Sequence, residues 1–252
     1  MLRAVLLWLL LAIAAPAQAA DLDAAQVRGL LAAATPERPA DLAGKNLENL
    51  DLSKLDFKHA DLHGADLFGA KLVDADLAGA DLAGARLDLA WIMRANFTNA
   101  DLSRASLLGL VTSYGLAVVA KDVPVFKGAK LVGAHIIARL AQVDLSGADL
   151  SGARMGADMT NQSMGLMRVD FSSADLSGAN FSRADLARAL LRFANLRHVD
   201  FSGANLTGAD FSGADLTDAD LTGANATDAD FGGAVLKGVR GLATAKGFAH
   251  PQ

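Results

Sequence analysis

The hydrophobic pattern of this chain repeats every five residues, and that period constrains the fold more than any other feature. Read from Ala40, the sequence divides into ADLAG, KNLEN, LDLSK, LDFKH, ADLHG, ADLFG and onward to ASLLG at 105–109. Take the middle residue of each five as its centre. The fourteen centres from Leu42 to Leu107 are all Leu, Ile or Phe, and eleven of the fourteen residues two before them are Ala. A second block runs from Phe171 to Leu236 and breaks the rule at one centre, Ala226. Shorter stretches centred on Leu131 and Ile136, and on Leu145, Leu150 and Met155, bridge the two.

Five matches neither the 3.6-residue turn of a helix nor the two-residue alternation of a plain strand. It does match a short extended segment followed by a corner. The centre and the residue two before it then share the inner side, as alternate strand residues do. The remaining slots support this. The residue before the centre is mostly Asp or Asn, whose short side chains bond nearby backbone in turns. The second residue after it is often Gly, as at Gly64, Gly69, Gly79 and Gly203, which accepts corner dihedrals. Four such sides close a square coil of twenty residues.

The A(D/N)LxX pattern over roughly residues 40 to 240 resembles the pentapeptide-repeat family. The resemblance implies an all-β fold, a right-handed quadrilateral β-helix. About thirty-three repeats then make roughly eight coils, a rod of ~40 Å at the usual inter-strand spacing. Centres twenty residues apart stack, so Phe181 lies beneath Phe201 and Phe211 beneath Phe231.

The ends and interruptions divide the chain further. Arg3, the apolar run Ala4 to Ala14 and the small-x-small triplet Ala17-Gln18-Ala19 predict a signal peptide, 1–19, cleaved after Ala19. The run is too short to span a bilayer, where ~20 apolar residues are needed, and no transmembrane segment is expected in the mature chain. Residues 20–39 read as a short N-terminal capping helix and linker. Asp23 and Gln26 have the spacing of a capping box, Val27, Leu30, Leu31 and Ala34 share a face, and Pro36 and Pro39 follow. Solenoid block 1 covers 40–109 and a non-repeat excursion 110–128. Block 2 covers 129–238 with an irregular stretch at 156–168, and 239–252 caps the far end. The phase shifts twice: Ile136 to Leu145 is one residue short, and Met155 to Phe171 one residue long.

Little in the chain suggests catalysis. The 252 residues include no cysteine, which excludes thiolate metal sites and disulfides. The histidines are His59, His63, His135, His198 and His250. His59 and His63 with Asp61 match no zinc spacing and read as solvated surface residues. No GxSxG, P-loop or HExxH motif occurs. No catalytic, cofactor or metal site is expected, and the protein is not read as an enzyme.

Departures from the repeat are more informative, because the scaffold does not require them. Phe68, Leu89, Trp91, Met93 and Leu108 occupy slots expected to face outward. They form a candidate protein-binding corner unless the 110–127 excursion packs over it or the scatter is chance. Arg183, Arg188, Arg192, Arg197 and His198 put a cation on four successive faces. That belt either balances the surrounding aspartates or meets an acidic partner or lipid headgroup.

The resulting expectation is a non-catalytic exported scaffold, periplasmic or secreted, that binds an unidentified protein or envelope component. A homodimer is compatible with it. The formal charge of −5, one unit more negative once Arg3 leaves, argues against nucleic acid as a partner. Two alternatives remain open. Some cytoplasmic relatives in the family mimic DNA and bind gyrase, a reading that the signal peptide and the arginines disfavour. Ice binding is the other, suggested by the Ser/Thr slots from Ser202 to Thr227.

Overall fold

A computed structural model describes residues 20–115, 119–157 and 168–248. The signal peptide with its cleavage site, Met159, Met164, Met167 and His250 lie outside the described residues.

One repeat shows how the backbone is satisfied. In 60–64, the Ala60 N–H closes a turn on the Phe57 carbonyl at 2.8 Å. Asp61 N–H reaches back one coil to the Ala40 carbonyl, and Leu62 and Gly64 N–H reach forward one coil to the Asp81 and Ala83 carbonyls. The fifth donor, the His63 N–H, is taken by the Asp61 carboxylate at 3.0 Å. Every N–H therefore has a partner. The Asp or Asn before the centre is in the sequence because it accepts the one N–H that neither neighbouring coil can reach. The same bond recurs from Asp41 to Asp230.

The coils stack by parallel pairing at a spacing of twenty residues, as in Asp41 with Asp61 and Asp61 with Asp81. We number the four faces by their first centres, Leu42, Leu47, Leu52 and Phe57. The third face is the column Leu52, Leu72, Ile92, Thr112, Leu140, Phe171, Leu191, Phe211 and Phe231, all but Thr112 apolar and all buried. That gives nine levels where eight are expected. Thr112 and Leu140 act as centres although the repeat is broken around them. Thr112 is buried because its hydroxyl donates to the Arg139 carbonyl at 2.9 Å.

Each irregularity in the sequence has a register consequence. Across the excursion the pairing spacing grows to 29, Asn96 with Val125, and two short strands meet there, β1 (Ser106–Leu108) and β2 (His135–Ile137). It then falls to 19, Val125 with Asp144, and rises to 31 across the stretch before Asp170. The parallel pairing resumes each time on the far side of the irregularity. Beyond Val239 the chain still pairs, Arg240 with Asp220 and Lys246 with Asn225.

Aromatic ladders fill the core. Phe181 and Phe201 stack at 5.4 Å, Phe211 and Phe231 at 4.9 Å, and Phe97 and Phe126 at 4.7 Å across the excursion. At the N-terminal end, α1 (Ala24–Ala33) opens with the expected box. Asp23 Oδ1 accepts from the Gln26 N–H at 2.8 Å, and Gln26 Oε1 from the Asp23 N–H at 2.7 Å. Val27 is buried on the first coil with Leu31 beside it, whereas Leu30 faces solvent. Among the described residues no helix is long and apolar enough to cross a membrane.

Candidate docking surface

The corners decide which side chains project. Along the regular repeats the second residue after the centre has φ near +60°, glycine or not, whereas Tyr114, Ala138 and Ala157, where the pattern breaks, do not. Sixteen non-glycine residues adopt this conformation among the described residues, and two of them are large and apolar: Leu89 and Phe193. Each leans over a glycine one coil on. A Cβ built on Gly109 would lie 2.8 Å from Leu89 Cδ2, and one on Gly213 would lie 2.6 Å from the Phe193 ring.

The structure separates the five apolar candidates. Leu89 is 48% exposed and Trp91 37%, on either side of the corner between the second and third faces. Phe68 and Leu108 are half-buried in one column of the second face with Asp88 between them. The Arg86 guanidinium covers Phe68, 4.6 Å from its centroid, and pairs with Asp66 at 2.6 Å and with Glu48. The Leu108 N–H donates to Asp88 at 3.0 Å. Met93, expected to face outward, is 0% exposed and leaves the set. The excursion returns across its corner: the Arg94 N–H donates to the Asp122 carbonyl at 2.9 Å, and the Arg94 guanidinium bonds Asp122 at 3.0 Å and Asp74 at 2.6 and 2.8 Å.

Below that crossing the third face carries a groove of about 500 Å³. Trp91 and Tyr114 line it, with Asp51, Ser53 and Lys71 on the face and Lys54, Asp74 and Arg94 along the corner. The Ser53 hydroxyl and N–H hold the Asp51 carboxyl below its usual value, and the Arg94 guanidinium does the same for Asp74. Lys71 and Trp91 occupy slots where the scaffold normally places its turn-forming Asp or Asn. Tyr114 belongs to this site although the sequence offered only its singularity as a signal.

The arginine belt is real in register but unevenly engaged. Arg192 pairs with Asp210 and Arg197 with Asp215 at 3.0 Å, while His198 Nδ1 lies 3.9 Å from Asp218. Arg183 and Arg188 make no ion pair among the described residues; they extend over Gly203 and Gly208. Phe193, 70% exposed beside Arg192, was missed by sequence reasoning. Its signal was a large apolar residue in the corner slot. Four of the hydroxyls considered for ice binding are engaged: Thr207 and Thr227 donate to Asn205 and Asn225 at 2.7 Å, and Ser212 and Thr217 to Asp210 and Asp215 at 2.5 Å. Beside Leu107, Phe126 and Phe171 the interior gap is only about 10 Å³. No cluster of three acidic or histidine side chains suited to a metal occurs among the described residues.

A coil of this kind, paired strand to strand around four sides, defines a β-solenoid. The pentapeptide-repeat model matches residues 40–69, 70–109, 166–203 and 200–238 in eight copies, and the chain belongs to that family, whose members fold as right-handed β-helices. No curated protein sequence matches it. Among solved structures it is similar to HetL, a pentapeptide repeat protein involved in heterocyst differentiation regulation from the cyanobacterium Nostoc sp. That likeness is 28% identical over 87% of this chain and 94% of HetL, with a TM-score of 0.37. A second is QnrB1, a plasmid-mediated fluoroquinolone resistance protein, at 20% identity over 77% and 88%, TM-score 0.40. A third, from the Arabidopsis thaliana thylakoid lumen, is 27% identical over 57% and 68%, TM-score 0.25.

Proposed function

We propose that this protein is a non-catalytic, exported binding scaffold, held in the periplasm or secreted, and that it presents the Leu89–Trp91 corner to a protein or envelope partner. The observation that carries this reading is the pair itself. Leu89 holds a left-handed backbone at φ 58°, which costs a residue with a Cβ about 1–2 kcal/mol relative to glycine, and still leaves half its surface in water. Trp91 replaces the residue that would satisfy a backbone donor. Neither choice helps the coil, and exposed apolar groups that a scaffold does not require mark an interaction site. Export rests on the leader read in residues 1–19, and a chain without cysteine is compatible with an oxidising compartment.

The test is capture from envelope extract with the mature protein and with a Leu89→Ser, Trp91→Ala variant, both first shown to be folded by circular dichroism. The reading predicts a partner retained by the parent chain and lost by the variant. Equal capture by both would remove the corner from the account.

A further inference from the structure

We infer that the third-face groove between Trp91 and Tyr114 is a saccharide site that takes a short neutral oligosaccharide. This rests on the reading of the protein as a binding module and names a ligand class for the face next to the docking corner.

The chemistry of the groove selects that class. Its volume, about 500 Å³, falls within the range of roughly 300–1,000 Å³ usual for small-ligand sites. Trp91 is the sole tryptophan after residue 19, and Tyr114 the sole tyrosine of the chain. Both are exposed in the same groove, Tyr114 by 66%. Aromatic faces with a polar tip suit a ligand that is apolar on one side and wet on the other, as the two faces and the rim of a pyranose ring are. Sugar hydroxyls both donate and accept, and the groove offers both functions. Asp51 is an acceptor held ionised by Ser53. Lys54 and Lys71 are donors with no ion pair among the described residues.

Charge and backbone count against the other ligands. The lining sets the cations Lys54, Lys71 and Arg94 against the anions Asp51 and Asp74, and Arg94 is shared between Asp74 and Asp122, which lies outside the lining, so the excess of charge is a single cation. A phosphate backbone or a polyuronate would meet two carboxylates among its three cations, and only one positive charge in excess. A peptide adding as a strand would need an open edge, and the lateral N–H groups of the adjoining repeats are already bonded between coils, as from Leu72 to the Trp91 carbonyl and from Trp91 to the Ala70 carbonyl. A purely apolar ligand would strand the charged groups around it.

The tryptophan makes the test direct. The mature protein is titrated with neutral hexasaccharides of glucose, mannose and N-acetylglucosamine, and with a hexagalacturonate as the anionic contrast, while Trp91 emission is followed. The inference predicts a saturable change with at least one neutral hexasaccharide. It also predicts that Tyr114→Ala, with an unchanged melting temperature, weakens that binding about tenfold or more. No saturable change with any neutral sugar up to about 10 mM overturns it, as does undiminished binding by Tyr114→Ala or a preference for the anionic sugar. Leu89 lies at the corner outside the groove, so Leu89→Ser separates the two claims. If that variant loses its captured partner and no sugar binds, the saccharide site falls and the docking corner stands. Sugar binding with capture unaffected by Leu89→Ser does the reverse.

Discussion

At the residue scale, the corner slot is where sequence and geometry are most tightly coupled. A side chain there leans along the stack, and a large one needs a glycine in the next coil, as Phe193 needs Gly213. Gly213→Ala places a Cβ 2.6 Å from the Phe193 ring on a backbone at φ 69°, and should destabilise by more than the ~1–2 kcal/mol of the left-handed conformation alone. In a Phe193→Ala background the steric part disappears, so a double-mutant cycle by urea denaturation should show coupling between the two sites. Near-additive effects would mean that the ring has moved aside. Asp74 makes a second prediction at this scale. Arg94 holds its folded-state pKa below the unfolded value, so its contribution is complete above the unfolded value and is lost as pH falls through the folded one. The urea midpoint should therefore fall below about pH 4, and Arg94→Gln should flatten that acid limb. The five-residue period made the inner slots legible one residue at a time. It could not show that Met93 is buried, because the segment that returns beside it, bonded to Arg94 through Asp122, belongs to an insertion with no repeat to index it.

At the element scale, the coil is the unit, and its size is fixed by pairing one large and one small residue per side. Ala209 is fully buried between coils. Ala209→Leu should overpack that layer at a cost of about 1–3 kcal/mol, visible as a lower melting temperature, whereas Ser202→Ala, at a half-buried outward slot, should change little. The same rule explains which features could be read in advance. The phenylalanine ladders follow from centres twenty residues apart, and α1 from the Asp23–Gln26 spacing. The ninth level did not follow. Thr112 is polar and Leu140 sits in a phase-shifted stretch, so neither looks like a centre until the Arg139 carbonyl is seen to accept the threonine hydroxyl. Insertions were legible as interruptions but not as surfaces, and one wall of the groove is Tyr114, two residues beyond Thr112 where an insertion leaves the third face.

At the scale of the whole molecule, the described coils form a packed interior whose gap beside Leu107, Phe126 and Phe171 is about 10 Å³, and the account places function on the faces. Most of that surface is what the repeat dictates: turn aspartates, serines and glycines, with arginines paired to carboxylates one coil away. The Leu89–Trp91 corner and the neighbouring groove are what the repeat does not dictate. The most direct measurement is photo-crosslinking in intact cells, with a photoreactive phenylalanine analogue placed at Leu89 or Trp91 and, as controls on the first face, at Gly152 or Thr222. The account predicts a discrete adduct with an envelope component from the two corner positions and none from the controls. Adducts of equal yield from all four positions, or from the controls alone, would contradict it.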